Sequence, residues 1–154
     1  MAQAALTTEY QYWVDHLAAA LMRGEIGQVA DCFRTPVPFF RRCGVRASVT
    51  RDEVMAELTA LRARLRAAGV QAMRGTVRRA EEGEGARFRL DVDWSYEAPD
   101  AAEPLRASVT YFGRRVAPRP ADPCTLCIEM LDYRREAFPM GDVSTVPCGQ
   151  GQMH

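Results

Sequence analysis

Cys124, Cys127, Cys148 and His154 stand at the spacing C-x2-C-x20-C-x5-H. Thiolate and imidazole are the ligand types of a tetrahedral zinc site. The local pattern argues against such a site. Cys124 and Cys127 open a strand-like run, where residues three apart point to opposite faces. Thr125-Leu126 between them is not turn chemistry. A redox reading fails as well, since a reactive C-x-x-C pair needs a helix N-terminus after its first cysteine. Strand thiols acting as small apolar residues, plus a tail thiol, are the expectation, with no metal and no cofactor. His16 flanks the apolar stripe of a helix, as a half-solvated surface histidine does, and no second histidine or Cys–His pair supports a nucleophilic triad.

Other chemistry would come from arginine doublets, acids and aromatics. Arg41-Arg42, Arg114-Arg115 and Arg134-Arg135 could fork onto an anion. On a strand only one residue of each doublet can face a shared site, and a solvated rim is the simpler reading. Asp93, Asp132 and Glu129, with His16, are the groups that could act as acid or base if one of them faces a pocket. Trp94, Tyr96, Tyr111, Phe112 and Tyr133 crowd the second half. Most of them belong to a core, but aromatic residues lining a mouth, with N–H or O–H to offer, are what a small-molecule pocket uses.

The bulk sequence narrows the class. At 154 residues the chain fits one domain and can bury a core without disulfides or metal. Formal net charge is zero and every basic residue is arginine. Lysine Schiff-base chemistry is excluded, and nothing global draws the chain to nucleic acid or an anionic membrane. No apolar run reaches the ~20 residues of a membrane span, and residues 1–8 lack the charged and apolar regions of a leader. Five cysteines without a leader predict a cytoplasmic protein with free thiols.

The elements that must position these groups follow from periodicity. Tyr10, Trp13, Val14, Leu17 and Leu21 form one face of a first helix, with Thr8 and Gln11 read as its capping box and Gly24 as its stop. A second helix fits 26–33. Prolines at 36 and 38 force extended chain, giving strands at 37–40 and 45–49. Thr50 to Glu53 caps a third helix, with Val54, Leu58, Leu61 and Leu65 inward and Gly69 as its end. From Val70 the period becomes 2, with strands at 70–80, 86–96, 105–116 and 124–135, and Gly75 read as a bulge. Phe88, Leu90, Val92, Trp94 and Tyr96 should face the helices, with Arg87, Arg89, Asp91, Asp93 and Ser95 on the other side.

This order resembles the NTF2-like superfamily, which includes ketosteroid isomerase and SnoaL-type polyketide cyclases. Residues 17–40, LAAALMRGEIGQVADCFRTPVPFF, are similar to its opening, residues 50–65, TRDEVMAELTALRARL, to its third helix, and the four following strands to its curved sheet. The resemblance implies an α+β fold, three N-terminal helices packed on a curved antiparallel sheet in a cone-shaped half-barrel. It implies a pocket inside the cone and dimers through the convex face. Ketosteroid isomerase's catalytic pair does not carry over. Its base position falls at Arg34 and Thr35. Its hydrogen-bonding Asp, two residues before a strand Phe resembling Phe112, falls at Thr110.

One domain, 1–138, with a poorly ordered tail, 139–154, is therefore expected. A pocket lined by Trp13, Phe33, Phe39, Trp94 and Phe112 should take a small apolar or aromatic molecule. A cyclase, isomerase or dehydratase is the enzymatic alternative, and a non-catalytic assembly module is the third. Leu105, Val109 and Tyr111 stand opposite in phase to Phe112, and Leu126, Ile128 and Met130 opposite to Cys127, Leu131 and Tyr133. Strands apolar on both faces must bury both, so a homodimer through the outer sheet face is expected, unless the tail covers it.

Overall fold

A computed structural model describes residues 2–42, 44–116 and 126–138. Helix α1 (Ala2–Arg23) buries Tyr10, Trp13, Val14, Leu17 and Leu21, the stripe that its spacing predicts. It begins six residues ahead of the expected cap, because Ala and Leu there are strong helix formers. Thr8 is an interior residue whose hydroxyl donates to the Ala4 carbonyl at 2.9 Å. Gln11 closes no capping box. Its amide donates to the Gly75 carbonyl at 2.8 Å and accepts the Val77 N–H at 2.9 Å, clamping α1 to the sheet.

After Gly24 in the left-handed region (φ 81°) comes α2 (Ile26–Ala30), shorter than expected. The chain leaves it to pair with the last strand. Arg34 N–H donates to the Ile128 carbonyl at 2.8 Å, and Ile128 N–H to the Cys32 carbonyl at 2.7 Å. Strands β1 (Val37–Arg41) and β2 (Gly44–Ser48) form a hairpin before α3 (Arg51–Ala67). The α3 cap forms as expected at Thr50, whose hydroxyl accepts the Glu53 N–H at 3.2 Å. The Glu53 carboxylate accepts the Val49 N–H at 2.6 Å. Then follow β3 (Ala72–Glu82), β4 (Arg87–Glu97), β5 (Leu105–Arg115) and β6 (Leu126–Arg135).

Six strands form one open sheet in the order β2-β1-β6-β5-β4-β3 among the described residues. It is mixed rather than wholly antiparallel, because β1 runs parallel to β6, with Phe39 beside Leu131. Phe88, Leu90, Val92, Trp94 and Tyr96 are all buried on the helix-covered face, as the alternation predicts. Gly75 is not a bulge. It lies in register with Trp94, and a Cβ there would stand 2.4 Å from Val14 and 2.7 Å from the Trp94 ring. Its missing side chain is what admits α1 and Trp94 together. The β3 register shift falls between Val77 and Arg79 instead.

Two shifts in the β5–β6 ladder reorganise the second half. Phe112 pairs Met130 while Gly113 pairs Ile128, leaving Glu129 as an extra residue; Val109 pairs Tyr133 while Ser108 pairs Arg135, leaving Arg134 extra. Each extra residue reverses the phase of the strand. Leu126 and Ile128 therefore point inward with Leu131 and Tyr133. Because Leu90 opposes Tyr111, the inward set of β5 is Leu105, Ala107, Val109 and Tyr111. The expectation that Phe112 faces inward is corrected; on β5 Leu105, Val109 and Tyr111 do oppose Phe112, but on β6 Leu126 and Ile128 join Leu131 and Tyr133 inside, against the expected grouping. Arg106, Ser108, Thr110, Phe112, Arg114, Cys127, Met130 and Asp132 are in the outward set of β5 and β6. Cys32 is disulfide-bonded, which also corrects the expectation of free thiols at that position. Among the described residues no helix is long and apolar enough to cross a membrane.

Candidate functional site

Between the helices and the concave sheet face lies a cavity of about 80 Å³, room for several waters or one small ring. Leu17 and Leu21 of α1 and the half-buried Leu58 and Leu61 of α3 wall one side. Val109, Tyr111 and Leu131 floor the other, and Ala137 and Phe138 stand beside the polar end. Of the five residues expected to line the pocket, Phe33, Phe39 and Trp94 do so. The Phe33 and Phe39 rings meet at 6.3 Å. Trp94 is 3% exposed and its indole N–H donates to the Tyr111 hydroxyl at 2.9 Å, so that N–H is already used. Trp13 is displaced to the far side of Tyr111, touching it edge-on at 6.1 Å, and lines a separate recess of about 10 Å³ with His16. Phe112 is on the convex face, 5.8 Å beneath the Arg89 guanidinium, because the Leu90–Tyr111 register turns Phe112 outward. Thr110, buried beside Asp91, is on that same convex face.

The cavity wall is polar at one end. Arg41 reaches in from β1, the inward member of its doublet, while Arg42 is exposed. Its guanidinium contacts Glu136 at 3.1 Å and Glu57 at 3.5 Å and lies 4.9 Å over the Tyr133 ring. Glu57 of α3 also holds Arg46 at 3.0 Å. The Glu136 side chain is 9% exposed, although it sits just beyond β6. Tyr96, Tyr111 and Tyr133 complete this end. Burial pushes all three phenols above their ordinary range; the other phenols add to it at Tyr96 and Tyr111, and at Tyr133 Glu57 and Glu136 add to it while Arg41 opposes it. They stay protonated, as hydrogen-bond donors.

None of the four groups expected as acid or base lines this cavity. Asp93 is outward, held by Arg78 at 2.7 Å and Ser108 at 2.9 Å, and its carboxyl is lowered chiefly by the Arg78 hydrogen bond. Asp132 is outward beside Phe40 and Thr110. Glu129, the extra residue of the bulge, pairs with Arg114 at 3.5 Å and Arg34 at 3.8 Å. His16 is exposed on α1. Cys127 is a free, half-buried thiol raised by burial. Cys124, Cys148 and His154, and the tail 139–154, lie outside the described residues. Sequence reading missed Glu57 and Glu136. Glu57 was in reach, since it precedes Leu58 and lies four residues before Leu61 on the inward side of α3. Glu136 was not, because strict alternation puts it outside and only the extra residue Arg134 turns it in.

This geometry has counterparts among solved structures. The chain is similar to Aln2 from a Streptomyces species at 16% identity, with a TM-score of 0.63 over 85% of this chain and 91% of that one. It is similar at 11% identity to an NTF-2 like protein of unknown function from Shewanella oneidensis, with a TM-score of 0.56 over 76% and 88% of the two chains. The chain has an NTF2-like fold. A domain of unknown function with a cystatin-like fold from Nostoc punctiforme is a further neighbour of this NTF2-like chain, with 17% identity and a TM-score of 0.62 over 86% and 78%. No protein-family model and no curated protein matches the sequence. At these identities the likeness is one of fold, and unrelated functions share a fold.

Proposed function

We propose that the protein binds a small, largely apolar or aromatic molecule in the cavity between its helices and the concave sheet. The observation that carries this reading is the company the cavity keeps. An apolar wall ends in Arg41, Glu57 and Glu136, all more than four-fifths buried, beside three protonated tyrosines. Burying charge and hydroxyl costs stability unless partners satisfy it, and a plain core uses apolar residues there. Convergent polar groups in an apolar concavity are the ordinary make-up of a ligand site. Titration with single-ring aromatics, followed by the Trp94 indole N–H signal in NMR, tests it. Binding should raise Tm in proportion to ligand excess. Ala107→Leu, which fills the cavity, should abolish binding while the protein stays folded. If no such ligand moves the signal or the Tm, the reading fails.

Glu136 favours a second, enzymatic reading of the same site, a cyclase, isomerase or dehydratase. A buried carboxylate beside neutral phenols is the kind of set that moves a proton in an apolar pocket. Turnover that vanishes in Glu136→Gln while binding persists would separate this reading from simple binding.

The homodimer through the convex face rests on residues other than those first expected. Phe40 is 37% exposed and Val45 60%, and they pair with each other on that face near the half-buried Met130 and Phe112. A monomer in sedimentation at micromolar concentration, for wild type as for Phe40→Arg, would remove it.

A further inference from the structure

The polar end of the cavity specifies more than size. The Glu136 carboxylate gives one oxygen, Oε1, to Arg41. Its other oxygen makes no ion pair or hydrogen bond among the described residues, although the side chain is 9% exposed. Tyr96, 4% exposed, and Tyr133 likewise donate their hydroxyls to nothing among the described residues. These residues line the cavity, where the carboxylate oxygen can take a donor and each phenol an acceptor. Arg41 is answered by two carboxylates, so it has little positive field left for an anion.

On the reading that the cavity binds an aromatic molecule, we propose that its ligand is a neutral phenol: a single ring whose hydroxyl donates to Glu136 Oε2 and accepts from Tyr133 or Tyr96. A phenol supplies both halves of the missing pattern from one atom. An aryl ether supplies only the acceptor. A benzoate brings a second negative charge to Glu136 and is repelled. The raised protonation range of Tyr96 and Tyr133 keeps both as donors at neutral pH. The ring itself stacks into the apolar part, between Leu17 and Leu61 on the helix side and Val109 on the sheet.

The probes are p-xylene, p-cresol, 4-methylanisole and p-toluate, titrated into the whole protein with the Trp94 indole signal as readout. A merely apolar cavity prefers p-xylene, because burying a hydroxyl without a partner is unfavourable. The proposal reverses that order. p-Cresol binds about tenfold tighter than p-xylene, the scale of one hydrogen bond to a charged acceptor. 4-Methylanisole falls to the p-xylene level or below, and p-toluate does not bind. In Glu136→Gln the p-cresol advantage shrinks by about tenfold while p-xylene affinity holds, and Tyr133→Phe, which keeps the ring over Arg41, lowers the p-cresol advantage alone. Preference for p-xylene over p-cresol, or equal p-cresol preference in the variants, overturns the phenol assignment and leaves the cavity reading standing. Failure of all four probes overturns both.

Discussion

The two faces of one sheet do different work with the same strands. The concave face of β4 and β5 is packed by shape: Phe88, Leu90, Val92, Trp94, Val109 and Tyr111 are all nearly inaccessible. Its few polar groups are gathered at one end of a cavity. The convex face is held by charge. Asp91 takes Thr110 and Arg134 at 2.7 Å each and Arg89 at 3.7 Å, and Asp93 takes Arg78 and Ser108. Even the one aromatic of outward β5, Phe112, lies under a guanidinium. Polar groups on the concave side are thus few and gathered at one end, while most of those on the convex side pair with one another, Arg114 Nε being without a hydrogen bond among the described residues. On the binding reading proposed above, hydrogen-bonding capacity left open in the cavity, rather than the number of charges, is what favours the concave side.

That contrast can be broken most sharply at Trp94. Trp94→Ala should destabilise the protein by about 3–5 kcal/mol, read by thermal or urea denaturation, because the large side chain is almost wholly buried and its N–H is bonded. A loss under ~1 kcal/mol would mean the concave wall is not close-packed. Gly75→Ala should follow at ~1–3 kcal/mol, since the new methyl collides with Val14 and Trp94. The convex counterpart, Asp91→Ala, should cost roughly 1–2 kcal/mol by leaving Thr110 and Arg134 without their acceptor at the edge of solvent. If it matched Trp94→Ala, the convex face would be structurally as demanding as the core.

The two faces should also part company with pH, by smaller amounts. Tyr96 and Tyr111 have folded pKa values above their unfolded ones, because burial opposes the phenolate. Their contribution is fully present below about pH 10 and falls as pH rises beyond it. Asp93 is shifted the other way by Arg78, so its contribution is present above about pH 4 and is lost as pH falls through its lower folded value. Denaturation midpoints across pH should therefore show a base limb removed in part by Tyr96→Phe and a weaker acid limb removed by Asp93→Asn. The acid limb is the smaller because Arg78 and Asp93 are well exposed and screened.

How far the sequence reaches differs between the halves of the chain. In α1, α3 and β4 the apolar spacing is unbroken, and the buried sets were legible residue by residue. In β6 the same rule groups Met130 with Leu126 and Ile128, whereas the inward place of Phe112 rests on the family resemblance and not on alternation. For Met130 the reason is local: Glu129 and Arg134 each add a residue to β6, and a phase shift of one residue inverts every side chain beyond it. Nothing in the residue types at 129 or 134 announces a bulge. The pocket list keeps Phe33, Phe39 and Trp94 but loses Phe112, which the β4–β5 register turns outward, and Trp13, which lies one helical turn before the lining residue Leu17.

By itself the sequence determined the fold class, because a helical period that gives way to an alternating one leaves few ways to bury both. It also determined which face of β4 the helices cover, because the reverse choice would bury Arg87, Arg89, Asp91 and Asp93 together. Tertiary structure alone decided the chemistry of the cavity. Arg41, Glu57, Glu136 and Tyr133 come from β1, α3, the end of β6 and β6, 95 positions apart at the extremes, and no pairwise spacing links them. The parallel pairing of β1 with β6 and the extra residue at Arg134 bring them to one end of the cavity, and both are properties of strand register, which the sequence encodes only through the whole sheet.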